Sequence, residues 1–419
     1  MRHLHLPALA ALAVLLAVAA PAWAGEAPPA AVAPTAGGLP APGSWATQTI
    51  TPTLPKGYTV PVIDISGDAA RQVVVAQGTK ETYQGHPTTL LLPDNRTMFA
   101  VWTINHGGPC GPMKKSLDAG LTWGDLLSVP ENWKLTRNCP AIYRLADPAG
   151  KVRLIIFAGM GPDGMMQQAV SEDDGATWSP MRSIGLKCIM PMCTVVPIDG
   201  GKRLLGMTNI RRPGDTVEKK SNIVAQSTSD DGGLTWSPWR VVLDAPGLMP
   251  CEPALIRSPD GKQLACLMRE NSRKANALLM TSDDEGRTWS PARELPAALT
   301  GDRHQPRYGP DGRLVIPFRD TARETATKGH FVAWVGTYDD IIKGREGQYR
   351  VKLLHSYRGG DCGYPGLEVL PDGTFIATTY IAYRAGENNS VVSTRFKLSE
   401  IDAKAKAATP EKAAPAAGK

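Results

Sequence analysis

The chain has 419 residues, enough for one large β domain or two smaller ones, and its hydrophobic content of 42% is ordinary for a globular protein. The formal net charge is +6, from 46 Lys and Arg against 40 Asp and Glu. These charges are well mixed and form no basic stripe, which argues against a nucleic-acid partner.

The first residues read as an export signal. Arg2 opens it, an apolar stretch runs from Leu9 to Ala20, and Ala22-Trp23-Ala24 offers a small-x-small cleavage site, giving a signal peptide over 1–24. The apolar stretch falls short of the ~20 residues of an ordinary membrane span, so no stable membrane insertion is expected. The expectation is a chain exported to the periplasm or the cell exterior. Residues 25–57 are rich in Pro, Ala, Thr and Gly and read as a linker. Seven cysteines in an exported chain allow up to three disulfides with one thiol left over, and the pairing stays open. No Cys-x-x-Cys spacing occurs, so no zinc site is expected.

The stretch 58–400 is organised by a repeat. The phrase Ser-x-Asp-x-Gly-x-Thr-Trp occurs four times, starting at Ser116, Ser171, Ser229 and Ser282, with spacings of 55, 58 and 53 residues. Such a period marks repeated supersecondary units. Within each phrase the Asp can accept bonds from its own turn, the Gly supplies a left-handed conformation, and Thr opens a strand. Four equivalent aspartates are turn builders, not four active sites. A second series of turns lies at Asp94-Asn95, Asp147 to Gly150, Asp199-Gly200, Asp260-Gly261, Asp311-Gly312 and Asp372-Gly373. Asp-Gly between apolar runs signals a hairpin. Six turns over 343 residues give about 57 residues per unit, ample for a four-stranded blade.

The predicted fold is therefore all-β, a six-bladed β-propeller. The segment Val60 to Ala76 is strand-like and offers an outer strand to the last blade. Blades five and six lack the repeated phrase; Thr337-Tyr338-Asp339 and Val391 to Leu398 occupy the corresponding places. Residues 401–419, rich in Ala, Lys and Pro, read as a disordered tail.

Loops of an up-and-down blade alternate between its two ends. The repeated phrase falls on one end, and the start of each inner strand falls on the other. That second end gathers the unusual residues: His86, Arg137, Glu252, Arg303, His304 and Tyr364 on inner strands, and His106, Arg269 and Arg319 by the second loops.

The repeated phrase matches the Asp box, or bacterial neuraminidase repeat, and the chain resembles the sialidase superfamily over most of Tyr58 to Glu400. Cys251-Glu252-Pro with Arg269 looks like the Glu-led strand and Arg of exo-sialidases. Asp361-Cys-Gly-Tyr364-Pro looks like the strand that bears their nucleophilic Tyr. The resemblance implies an exported glycosidase that removes a terminal sialic acid or related acidic sugar from a glycan, with no metal or organic cofactor. Tyr364 would be the nucleophile and Glu252 its base. A neutral phenol suits a sugar with a carboxylate on its anomeric carbon, which would repel a carboxylate nucleophile. Arg269, Arg319 and Arg303 would clamp that carboxylate.

The chain departs from the family at two points. Gly85-His86-Pro87 stands where an Arg-Ile-Pro phrase is usual, so one clamp Arg is absent, with Arg137 on the next blade as the substitute considered. Asn105-His106 stands where the acid/base Asp would lie, leaving His106 for that role. His86 and His304 join the substrate-binding candidates. These departures leave open a glycosidase or lyase for another acidic glycan, or a non-catalytic glycan- or protein-binding propeller.

Overall fold

The short apolar runs pair as antiparallel hairpins because each turn fixes a register and each run has a face to bury. The computed structural model describes residues 47–53, 57–161, 164–212, 214–216, 218 and 221–408. The expected signal segment and most of the expected linker lie outside them. Six sheets follow one another along the chain as the blades of a ring.

Blade one holds Gln84–Leu91, Met98–Ile104 and Cys110–Ser116, with a lone bridge between Lys114 and Leu126. Blade two is Arg137–Ala146, Val152–Gly159, Gly164–Ser171 and Arg182–Cys188. Blade three is Thr194–Ile198, Arg203–Ile210, Ile223–Ser229 and Arg240–Leu243. Blade four is Pro250–Arg257, Leu264–Glu270, Leu278–Ser282 and Arg293–Glu294. In blade five the inner strand is broken into Gly301–Asp302 and Arg307–Tyr308, followed by Leu314–Asp320, Phe331–Gly336 and Tyr349–Leu354. Blade six is Cys362–Val369, Thr374–Ile381 and Ser390–Lys397.

Each sheet buries both faces against its neighbours, so the second strands are almost wholly apolar. Phe99 and Val101 of blade one, for example, share one core cluster with Leu154 and Ile156 of blade two.

The Asp boxes are the turns after the third strands of blades one to four, as the repeat predicts. In the first box Asp118 Oδ1 accepts from Thr122 N at 2.8 Å and from Ser116 Oγ at 2.7 Å, and Asp118 Oδ2 accepts from Thr122 Oγ1 at 2.6 Å. Two successive left-handed residues make the turn, Ala119 at φ 56° and Gly120 at φ 78°. At the second box a Cβ on Gly175 would lie 2.4 Å from the Phe99 ring, so the box also sets the spacing to the preceding blade.

Both ends of the ring differ from a plain repeat. Gln72–Ala76 pairs antiparallel with Ser390–Lys397 and completes blade six, as expected of the Val60 to Ala76 segment. The same segment also adds Val62–Asp64 to blade five, parallel to Tyr349–Leu354. In blade five the Asp-box position is taken by a helix, Tyr338–Lys343, which Thr337 and Asp340 cap reciprocally. In blade six Val391 to Leu398 is not a turn but the third strand, leading into a helix over Leu398–Ala408. That helix occupies the start of the expected 401–419 tail. Leu398 and Ile401, three residues apart, bury one face of it beside Phe375 and Phe396. Upstream, Gln48 N donates to Asp244 O and the Gln48 side chain accepts from Ala292 N, so this end of the expected linker is bonded to blades three and four.

All seven cysteines are buried and none is in a disulfide, so the bridges that the count allowed are not formed. They fill apolar sites inside and between blades, and burial pushes the Cys110 and Cys362 thiols up to about 12. No helix among the described residues is long and apolar enough to cross a membrane.

Candidate active site

A proline breaks the inner strand at the same level in four blades. His86, Cys139, Glu252 and Tyr364 each precede Pro and have φ of 40°, 28°, 53° and 52°. The pairing register shifts at each of these points. Proline offers no N–H to the ladder, and its ring keeps the preceding residue out of the right-handed helical region, so the strand bulges. Blade five has its own break, with Arg303 at φ 58° between the two halves of its inner strand. Left-handed conformations of this kind cost ~1–3 kcal/mol each and gather at functional sites. Here they bring His86, Glu252, Arg303 and Tyr364 from four blades together.

Tyr364 Oη donates to Glu252 Oε1. The same carboxylate oxygen accepts from Arg269 Nη1 at 2.9 Å, and that nitrogen also lies 3.4 Å from Tyr364 Oη. Arg269 Nη2 donates to Asn271 Oδ1 at 2.5 Å. Burial, and then the Glu252 charge, push the Tyr364 phenol well above its ordinary range, while Arg269 works the other way. The phenol at rest is therefore protonated, with its proton directed at a carboxylate. Beside the ring, the Arg303 guanidinium carbon stands 5.8 Å from the Tyr364 centroid.

Asp302 is the hub of the neighbouring charges and only 1% exposed. Arg273 grips it bidentately at 2.6 and 2.8 Å, Arg319 Nε donates at 2.8 Å, and Arg269 Nε lies 3.0 Å away. Burial works to raise the Asp302 carboxyl, but Arg269, Arg319 and Arg273 outweigh it and hold the carboxyl below the usual range. Arg319 Nη1 donates to Gly360 O at 2.5 Å. The two principal clamp candidates, Arg269 and Arg319, are thus bound to the protein's own carboxylates.

On the other side of Tyr364 the His86 ring lies 4.5 Å from both the Tyr364 and His106 rings and 4.9 Å from that of Tyr380. Burial, followed by the nearness of His106, Arg319 and Arg303, lowers His86 well below its ordinary value despite Asp361, so the ring is neutral near pH 7. His106 Nδ1 lies 3.3 Å from both Asp361 Oδ1 and Tyr83 Oη, and Tyr83 Oη donates to Asp361 Oδ1 at 2.9 Å. Asn389 Nδ2 ties this group together, donating to Tyr83 Oη and to Asp361 O. Four buried polar atoms around Tyr364 have no hydrogen-bond partner among the described residues: His86 Nε2, Glu252 Oε2, Arg303 Nη1 and Tyr380 Oη. Buried polar groups are normally satisfied, so their convergence marks a place where another polar group binds.

The structure brings together Tyr364, Glu252, Arg269, Arg319, Arg303, His86 and His106. It leaves out two predicted residues. Arg137 is exposed at the start of its strand, without an ion pair among the described residues. His304 is buried, packs on Phe318 at 5.0 Å, and its Nε2 bonds the Leu299 carbonyl at 2.8 Å. Residue-by-residue reading missed Asp302, Asp361, Tyr83 and Tyr380. Asp302 and Asp361 stood in the inner-strand segments of Arg303 and Tyr364, but Arg269 and Arg273 reach Asp302 from blade four, and Tyr83 and His106 reach Asp361 from the start of the ring.

Residues 113–300 match the family described as BNR repeat-like domain. No curated protein sequence matches the chain. A crystal structure of a protein of unknown function from Dyadobacter fermentans aligns at TM-score 0.60 and 16% identity, covering 78% of this chain and 97% of that one. The GH93 α-L-arabinofuranosidase of Fusarium graminearum, solved with arabinobiose, aligns at TM-score 0.57 and 13% identity, covering 79% and 99%. The leech intramolecular trans-sialidase, solved with 2,7-anhydro-Neu5Ac, aligns at TM-score 0.56 and 15% identity, covering 79% and 70%. The Asp boxes form the turns that the repeat predicts, part of the chain matches the BNR repeat-like family, and its six-bladed ring shares the propeller fold of these structures.

Proposed function

We propose that the protein is a retaining glycosidase that removes a terminal sialic acid or related acidic sugar from a glycan. The observation that carries this reading is the buried Tyr364–Glu252 hydrogen bond, with Arg269 on the same carboxylate oxygen. Tyr364 Oη attacks the anomeric carbon as Glu252 takes its proton, giving a glycosyl–tyrosine and releasing the leaving group. His106, held by Asp361, protonates the leaving oxygen and then takes a proton from the water that cleaves the intermediate. Glu252 returns its proton to Tyr364. The apolar N-terminal stretch supports export as part of the same proposal.

A second reading, a glycosidase for another acidic glycan, is favoured by Asp302. Its carboxylate already engages Arg269 and Arg319, which a substrate carboxylate at the anomeric carbon would need. The test is hydrolysis of a fluorogenic α-sialoside, a β-glucuronide and an α-L-arabinofuranoside by the wild type and by Tyr364→Phe. Turnover falling by ~10³ or more in Tyr364→Phe, with folding intact, supports the nucleophile. Turnover of none of the three by the wild type would count against a glycosidase of these classes.

A further inference from the structure

A cavity of about 540 Å3 shares Arg319 with the site and is formed on the same end of the ring by loops of blades four and five and by Gly360. Its size is that of a ligand site. Four cationic side chains line it: Arg273, Arg319, Arg323 and Lys328.

The acidic residues of the wall do not balance them. Glu270 turns its carboxylate onto the backbone N–H groups of Met249, Ser272, Lys274 and Ala275. Asp320 is completely buried against Arg350, Thr325 and Thr327. Arg273 and Arg319 share the single charge of Asp302 with Arg269. Arg323 donates only to the Arg273 carbonyl at 3.2 Å, and neither Arg323 nor Lys328 forms an ion pair with a described residue. The wall therefore has an excess of positive charge, and two of its cations have no ion-pair partner among the described residues.

We infer that this cavity is an anion subsite that takes a carboxylate or sulfate group of the glycan, away from the anomeric carbon. It rests on the glycosidase reading, because Arg319 links the cavity through Asp302 and Arg269 to Glu252 and Tyr364. The substrate's charge is then recognised beside the reacting sugar, consistent with a clamp at the reaction centre that Asp302 already fills. Paired guanidinium and ammonium groups suit both carboxylates and sulfates.

The test is titration calorimetry of the full chain with sodium glucuronate and, separately, inorganic sulfate, at low and at raised NaCl. The wild type should bind at least one anion, more weakly as salt rises. Binding of glucuronate alone identifies a carboxylate subsite, and binding of sulfate alone a sulfate-ester subsite. Arg323→Ala/Lys328→Ala should bind about tenfold more weakly with an unchanged melting temperature. Tyr364→Phe should bind like the wild type, so loss of turnover and loss of the subsite read separately. Equal binding by the double variant, or binding of neither anion by the wild type, would overturn the subsite.

Discussion

At Asp302 one carboxylate holds three guanidiniums, and removing its charge would leave Arg269, Arg273 and Arg319 facing one another in a buried place. Breaking such a group from the single-partner side costs ~3–5 kcal/mol, whereas trimming one exposed partner costs about 1 kcal/mol or less. Asp302→Asn should therefore lower the urea unfolding free energy several-fold more than Arg273→Ala, whose side chain is 42% exposed. Equal losses would show that the hub is not the anchor. Histidine gives the pH dependence. His86 and His304 are lowered from 6.5, chiefly by burial. Below that value the unfolded chain binds protons that the folded chain refuses, so their contribution is complete above pH 6.5 and declines as pH falls. Each contributes a slope of up to ~1.4 kcal/mol per pH unit. Urea midpoints measured from pH 7.5 to 5.5 should fall, and fall less steeply in His304→Gln; a flat wild-type profile would contradict this. Tyr364 and Glu252 were legible in the sequence because a local phrase surrounds each. Asp302 was not legible as a hub, since only Arg319 faces it within its own blade, while Arg269 and Arg273 come from blade four.

The Asp box is the element that sequence describes best, because its hydrogen bonds close within eight residues. Asp118 is lowered to about 2: burial opposes this, but the bonds from Thr122 and Ser116 outweigh it. Asp118→Ala removes those bonds and should cost about 1–2 kcal/mol, or ~2–4 °C in Tm, by differential scanning fluorimetry. Turnover and anion binding should stay at wild-type values, because the box lies at the end of the blade opposite the site. A loss of activity at equal folding would break that assignment of faces. The inner-strand bulges were half legible. The residue-Pro pairs at His86, Cys139, Glu252 and Tyr364 stand in the sequence, but their positive φ depends on strands clamped on both sides of the proline. The turns of blades five and six were not legible, for two physical reasons. A capped helix can replace a tight turn, and the fourth strand of blade six comes from the other end of the chain.

The whole ring is closed by residues that precede its first blade. Gln72–Ala76 covers the edge of Ser390–Lys397, and Val62–Asp64 extends blade five in parallel, so one segment fastens two blades. Closure matters because an uncovered edge strand is a template for pairing with another chain. Val75 is the pin of the closing strand: it is 1% exposed and packs with Ala100, Trp102 and Val391. A carboxylate there would be buried among apolar side chains without a partner, a change of the severely destabilising kind. Val75→Asp should release the closing strand before it unfolds the ring. Hydrogen exchange read by mass spectrometry should accelerate first in Gln72–Ala76 and Ser390–Lys397, while Val152–Gly159 on the far blade keeps its protection. Light scattering should show concentration-dependent association through the exposed edge. Acceleration spread evenly over all six blades would mean instead that the ring opens only as a unit, and that the segment contributes to global stability without acting as a separable latch.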